Sequence, residues 1–110
     1  MEITHRHLPR VEILSLSGRL QAGDDTTLQD RIDQLFSEGR HNVLLDLSQL
    51  QFISSPGLRV LIDARKRAQR NRGDVHLVNV PPNVKSVFDV SGTTSLLQIH
   101  DDLVEAVDSF

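Results

Sequence analysis

The sequence predicts one α/β domain, a mixed and mostly parallel sheet of about five strands covered by about four helices. Three observations predict it. Strand-type and helix-type segments alternate along the 110 residues. Two strand segments, residues 43–47 and 75–80, are nearly continuous apolar runs. Gly or Pro punctuates most of the boundaries. A strand apolar at almost every position is buried on both faces, which places it centrally in a parallel sheet with helices above and below.

Residues 3–8 read as an edge strand stopped by Pro9. In residues 11–17, Val11, Ile13, Ser15 and Ser17 fall on one side and Glu12, Leu14 and Leu16 on the other, giving a strand ended by Gly18. Asp24, Asp25, Thr26 and Thr27 supply acidic and capping side chains where helix amides lack partners. Leu28, Ile32, Leu35 and Phe36 then recur at helical spacing, predicting a first helix to about Glu38 that Gly39 closes. After the strand at 43–47, Leu58, Leu61, Ile62, Arg65 and Ala68 line one side of a second helix ended by Gly73. The strand at 75–80 stops at Pro81-Pro82. Val84, Val87 and Phe88 mark a short third helix, Leu96 to Ile99 a last strand, and Asp101-Asp102 the start of a helix carrying Leu103, Val104 and Val107. The order is ββαβαβαβα, whose crossovers are expected to be right-handed.

Composition narrows the function. Hydrophobic residues make up 38 % and charged residues 25 % of the chain, enough for one core and too apolar for disorder. A net charge of -3 gives no general attraction to nucleic acid or to an anionic membrane, and the absence of Trp and Tyr leaves little to stack on bases. No apolar run approaches the roughly 20 residues of a membrane span. The first residues lack the apolar core of a secretory signal, so a cytoplasmic location is expected. Without cysteine there is no disulfide, thiolate metal site or thiol nucleophile. No phosphate-cradling glycine loop and no nucleophile elbow occurs, so an enzyme is not expected, and neither is a cofactor.

The chemically suggestive place is Ser54-Ser55-Pro56-Gly57, where a strand ends and a helix begins. Pro suits the first helical turn because its missing N–H would be unpaired there. Either serine could cap the helix. Alternatively, a phosphate there would meet free helix amides and place a near-dianion on a surface that a partner has to cover. Along the second helix Arg59, Asp63, Lys66 and Arg70 form one stripe, either a solvated face with an Asp63–Arg67 pair or a docking face for an acidic partner. His5 and His7 share a strand face, and two ligands fall short of a metal site, so they read as an incidental surface pair. Asp46, with Ser48 two residues on, reads as a turn at a strand end.

Leu45-Asp46-Leu47-Ser48 with Phe52-Ile53-Ser54-Ser55-Pro56-Gly57-Leu58 resembles the strand-to-helix signature of STAS domains, named for sulfate transporters and anti-sigma factor antagonists. Gly18-Arg19-Leu20 followed by Leu28 resembles the opening of that family's first helix. Val78-Asn79-Val80 into Pro82 and Val84-Lys85, and Phe88-Asp89-Val90-Ser91-Gly92 before Leu96 and Ile99, resemble its later segments. The likeness runs from about residue 11 onward. It implies an antagonist that binds an anti-sigma factor, itself a GHKL-type serine kinase, and is released by phosphorylation, which a PP2C-type phosphatase reverses. On alignment the modified serine is Ser55, with Ser54 as the lesser candidate. The implied partner-binding surface takes in Gln21, Asp24, Ser54, Ser55, Pro56, Gly57, Arg59, Asp63 and Lys66. Three positions depart from the family pattern: Ser54 and Gln21 where Asp is usual, and Pro56 where Ser or Thr is typical. They motivate a second reading, an unphosphorylated scaffold or subunit of a stressosome-like or lipid-transport assembly. A small hydrolase using Ser55 ranks last.

Overall fold

The computed structural model describes residues 1–110. Five strands, β1 (Glu2–His7), β2 (Glu12–Leu20), β3 (Asn42–Ile53), β4 (Asp74–Val78) and β5 (Gln98–His100), form one sheet in sequence order. β1 runs antiparallel to β2 and every other neighbouring pair is parallel. The helices are α1 (Asp24–Ser37), α2 (Ser55–Arg70), α3 (Pro82–Val90) and α4 (Leu103–Asp108), with one 3-10 turn at Thr94–Leu96. None is long and apolar enough to cross a membrane.

Because the parallel strands lie in sequence order, right-handed crossovers carry α1, α2 and α3 to the same face. The core follows. Leu14 and Leu16 of β2, Val43, Leu45 and Leu47 of β3, and Val75 and Leu77 of β4 join Ile32, Leu61 and Phe88 of these helices in a main cluster of 22 buried residues. The intervening side chains Val11, Ile13, Leu44 and Val78 point the other way and pack against Ala106 of α4. Period-two alternation thus splits each apolar run between two layers, which is why β3 and β4 are apolar at nearly every position.

Several boundaries differ from the sequence expectation, each for a local reason. β2 does not end at Gly18. It passes through this residue at φ +88°, with register shifts against β3 on either side, and continues to Leu20. Glycine adopts that conformation at little cost, so it marks a bulge and not a stop. The slip breaks the alternation in β3 as well: buried Leu47, Leu50 and Ile53 stand three apart, separated by the exposed Ser48, Gln49, Gln51 and Phe52. Asp46 lies within this irregular stretch, its Oδ1 accepting from the Ser48 amide at 3.0 Å, rather than at a strand end. β4 stops at Val78 because Asn79 turns to φ +57°. The final strand starts two residues late, at Gln98, because Leu96 belongs to the 3-10 turn. On α2 the buried set is Gly57, Leu58, Val60, Leu61, Ala64 and Ala68. Arg65 is half-buried because its Nε donates to Asp74 Oδ1 at 3.0 Å.

The pairing expected between Asp63 and Arg67 is secondary. Arg67 Nη1 donates to Asp33 Oδ1 of α1 at 2.6 Å and lies 4.0 Å from Asp63 Oδ2. That bond from Arg67 holds the Asp33 carboxyl below its ordinary pKa and clamps α1 to α2.

His5 and His7 are not an incidental pair. Glu12, 2 % exposed, accepts from His5 Nε2 at 3.1 Å, His7 Nδ1 at 2.5 Å and Arg40 Nη1 at 2.8 Å. A carboxylate only accepts, so those ring nitrogens carry protons. Burial alone would raise the Glu12 pKa, yet the bonds from His7, Arg40 and His5 outweigh it and the pKa lies below 4.5. No group of three or more acidic or histidine side chains is arranged to hold a metal ion. A second buried polar residue, the imidazole of His76, ties α4 to the sheet. Its ring stacks on Phe110 with centroids 4.3 Å apart and bonds Ser109 Oγ at 2.8 Å and Asp74 Oδ2 at 3.1 Å. Burial lowers the His76 pKa below 6.5 despite the Asp74 carboxylate.

Both groups make the fold sensitive to acid. The folded chain excludes a proton from His76 that the unfolded chain binds, so that contribution is complete above about pH 6.5 and shrinks as the pH falls below it. The Glu12 contribution is complete above about pH 4.5 and is lost as the pH falls through the lower folded value. Chemical denaturation at a series of pH values is expected to lose stability in two stages, with His76→Gln flattening the first and Glu12→Gln making the second shallower. Glu12→Ala, which removes the acceptor of three hydrogen bonds, is expected to cost about 2 kcal/mol at pH 7.

Candidate functional site

The carboxyl ends of β2, β3 and β4 feed the amino ends of α1, α2 and α3, so three helix starts gather at one end of the sheet. The junction between β3 and α2 is tied down there. Ser54 donates its amide to the Leu20 carbonyl, the last residue of β2, at 2.8 Å. With φ -85° and ψ 166°, Ser54 is the N-cap of α2, and its Oγ accepts from the Gly57 amide at 3.2 Å. The two serines therefore have different jobs. Ser54 is half-buried and committed to the cap, while Ser55, the first residue of the helix, is exposed. Pro56 follows in the first turn, and that turn holds no acidic side chain.

Gly57 sets how closely α2 approaches the sheet. A Cβ at this position would lie 2.7 and 2.9 Å from Leu20 side-chain carbons and 3.3 Å from Ile53 Cγ1. Only a residue without a side chain lets the helix start sit directly over the ends of β2 and β3.

Gln21 and Asp24 form the turn ahead of α1. Asp24 Oδ2 accepts from the Gln21 amide at 3.2 Å, and the Asp24 amide donates to the Gln21 carbonyl at 2.9 Å. Gly23 caps the helix, and its own amide goes to Asp25 Oδ1 at 2.9 Å, so the acidic pair closes the turn without capping in the usual sense. Between the starts of α1 and α2 runs a groove of 250 Å³ lined by Asp25, Gln29, Pro56, Arg59, Val60 and Asp63. Arg59, Asp63 and Lys66 are exposed along α2, as the stripe requires. Neither Arg59 nor Lys66 has a carboxylate within 4.0 Å, whereas Arg65 and Arg67 on the same helix are both paired. The expected site residues thus fall at one end of the sheet and along the exposed side of α2.

Two residues escaped the sequence reading. Arg19 and Phe52 stand opposite each other in the β2–β3 register, with the guanidinium carbon 4.4 Å from the ring centroid. Phe52 remains 36 % exposed, a large apolar surface beside Ser54. The available signal was a lone aromatic between polar Gln51 and the capping serine, but the bulge hid its partner.

Chemically, this end offers an exposed hydroxyl, unpaired cations and an aromatic face. It is suited to contact with another macromolecule, and modification of Ser55 requires no repacking.

The STAS domain family matches residues 2–106. The anti-sigma F factor antagonist of Paenibacillus polymyxa is 28 % identical to this chain over 97 % of its length and 92 % of the relative's. The BtrV protein of Bordetella bronchiseptica is 28 % identical over 100 % of this chain and 95 % of that one. A crystal structure from Thermotoga maritima superposes with a TM-score of 0.90 at 21 % identity, covering 97 % of this chain and 92 % of the other.

The two serines should separate cleanly by thermal or chemical denaturation. Ser54→Ala is expected to lose about 1 kcal/mol through the cap, and Ser55→Ala to stay within about 0.5 kcal/mol of wild type. Gly57→Ala is expected to cost about 2 kcal/mol by overpacking. Adding Leu20→Val should recover part of that loss, which a double-mutant cycle would read as coupling between the two sites.

Proposed function

The chain belongs to the STAS domain family, and from that premise we propose that it is an anti-sigma factor antagonist switched by phosphorylation of Ser55. The end of the sheet that carries Ser55, with Gln21, Asp24, Ser54, Pro56 and Gly57 shaping it and Arg59, Asp63 and Lys66 extending it along α2, docks on the anti-sigma factor. Binding occupies that factor and frees the sigma factor it would otherwise hold. The partner is itself a GHKL-type serine kinase. It passes the terminal phosphoryl group of ATP to Ser55 Oγ, ADP leaves, and the hydroxyl proton goes to a base on the kinase. A PP2C-type phosphatase hydrolyses the ester back to serine and inorganic phosphate. All the chemistry belongs to the partners.

The observation that carries this reading is the division of labour between the serines. Ser54 is held by its cap while Ser55 is exposed at the helix start. A phosphate on Ser55 would put charge where the partner has to exclude water, and desolvating an unanswered charge is costly. The name borne by the Paenibacillus relative, an anti-sigma F factor antagonist, supports the antagonist part of this reading.

One observation favours the unswitched scaffold instead. Asp25 and Asp63 line the groove beside Pro56, so added negative charge meets like charge there. Two measurements decide. Incubation with the kinase and ATP, read by intact mass, is expected to add one phosphate to wild type and none to Ser55→Ala. Addition to Ser55→Ala as well would overturn the assignment. Ser55→Asp is expected to weaken the anti-sigma factor complex by roughly tenfold or more. A complex indifferent to that change would establish the scaffold.

A further inference from the structure

We propose that Arg59 is the built-in counter-ion for a phosphate on Ser55, so that modification both adds a charge and withdraws a cation from the partner. This rests on the reading of Ser55 as the modified residue.

Ser55 and Arg59 are four residues apart on α2 and both are exposed. Side chains at that spacing stack on one helix face, and a long side chain in a helix leans back toward the preceding turn. That spacing puts Ser55 within reach of the Arg59 guanidinium. The other residue one turn away, Leu58, is buried and apolar, so no second charge stands at helical reach.

Arg59 is also available. Asp25 and Asp63 line the same groove, yet neither comes within 4.0 Å of its guanidinium, and the Asp63 carboxylate lies 4.0 Å from Arg67. The paired arginines of α2 spend their donors on fold contacts, Arg65 on Asp74 and Arg67 on Asp33. Arg59 has no such duty. A phosphate offers three acceptor oxygens to a planar fork of donors, a better match than either distant carboxylate.

The unmodified protein then presents Arg59 to an acidic partner surface. In the phosphorylated protein the ester oxygens take that donor fork, and the partner loses its contact while gaining a dianion to desolvate. The same pairing shields the phosphate from Asp25 and Asp63, so the modified chain keeps its fold.

The test places phosphoserine at position 55 during synthesis, by genetic encoding, and follows the 31P chemical shift through the second ionisation of the ester. Pairing favours the dianion, so the midpoint in wild type is expected to lie roughly 0.3 pH unit below that of Arg59→Gln. Arg59→Lys should keep at least half of the difference, and 1 M NaCl should close most of it. Equal midpoints in the wild-type and Arg59→Gln backgrounds would overturn the proposal. The phosphate is installed without kinase or partner, so the two readings fail separately. A Ser55 that the kinase ignores would remove the switch and leave the midpoint difference intact, and equal midpoints would remove the counter-ion and leave the switch.

Discussion

The geometry of the end that carries Ser55 depends on one close approach, that of the Gly57 backbone to Leu20 and Ile53. Leu20 is the last residue of β2 and Ile53 the last of β3, and the two stand opposite each other in the register. Where they meet, the Ser54 amide bonds the Leu20 carbonyl and the chain turns into α2. A side chain at position 57 would lift the helix start and pull the cap apart. Because Leu20 and Ile53 are both buried in the main core, the position of an exposed serine is fixed by hydrophobic packing two residues away. Rigid placement matters for a docking surface, since a mobile loop would lose ordering entropy on every binding event.

Charge is distributed accordingly. At the start of β2 the buried Glu12 is answered by two imidazoles and an arginine, and at the start of β4 Asp74 is answered by Arg65 and His76. The pKa values of Glu12, Asp74 and His76 are displaced because these groups are locked into the fold. Asp33 is displaced in the same way by Arg67, which holds two helices together. Arg59 and Lys66 lack such partners. The chain thus settles its buried charges around the structure and leaves cations unpaired where a partner is proposed to dock. Helix α2 shows the split within a single element, with Arg65 and Arg67 paired and Arg59 free on the same sixteen residues.

Much of this was legible in the sequence, and the reasons are particular. The doubly buried runs around Leu44 and Leu77 announced a central parallel sheet, because only burial on both faces tolerates apolar residues at successive positions. Leu28, Ile32, Leu35 and Phe36 announced α1 by their spacing. What stayed hidden was hidden by register. A bulge at Gly18 shifted β2 against β3, so the end of β2 looked like a turn, the second half of β3 looked like a loop, and the facing of Arg19 on Phe52 could not be found. The Glu12 cluster was hidden for another reason. His5 and His7 were visible as a pair, but their partner is set by the antiparallel register of β1 on β2 and by Arg40, 28 positions further along the chain. Of the candidate site, the serines and the α2 stripe could be found from pattern. Which serine caps could not, because that depends on one hydrogen bond.

That hydrogen bond changes how a departure from the family pattern should be weighed. STAS domains that resemble this chain usually carry Asp where Ser54 stands, and losing a carboxylate beside the modified serine looks like a mark against switching. The structure gives Ser54 the cap, a role that an aspartate side chain fills equally well. The difference between the two is charge. A capping carboxylate compensates the positive end of the helix and repels any phosphate placed one residue on. A capping hydroxyl satisfies the same Gly57 amide and leaves that end uncompensated. A phosphate on Ser55 then meets the helix end and Arg59 without a fixed negative neighbour on its own turn. With Ser54 in place, the modified state is better accommodated by the chain itself, and the departure weighs for the Ser55 switch as much as against it.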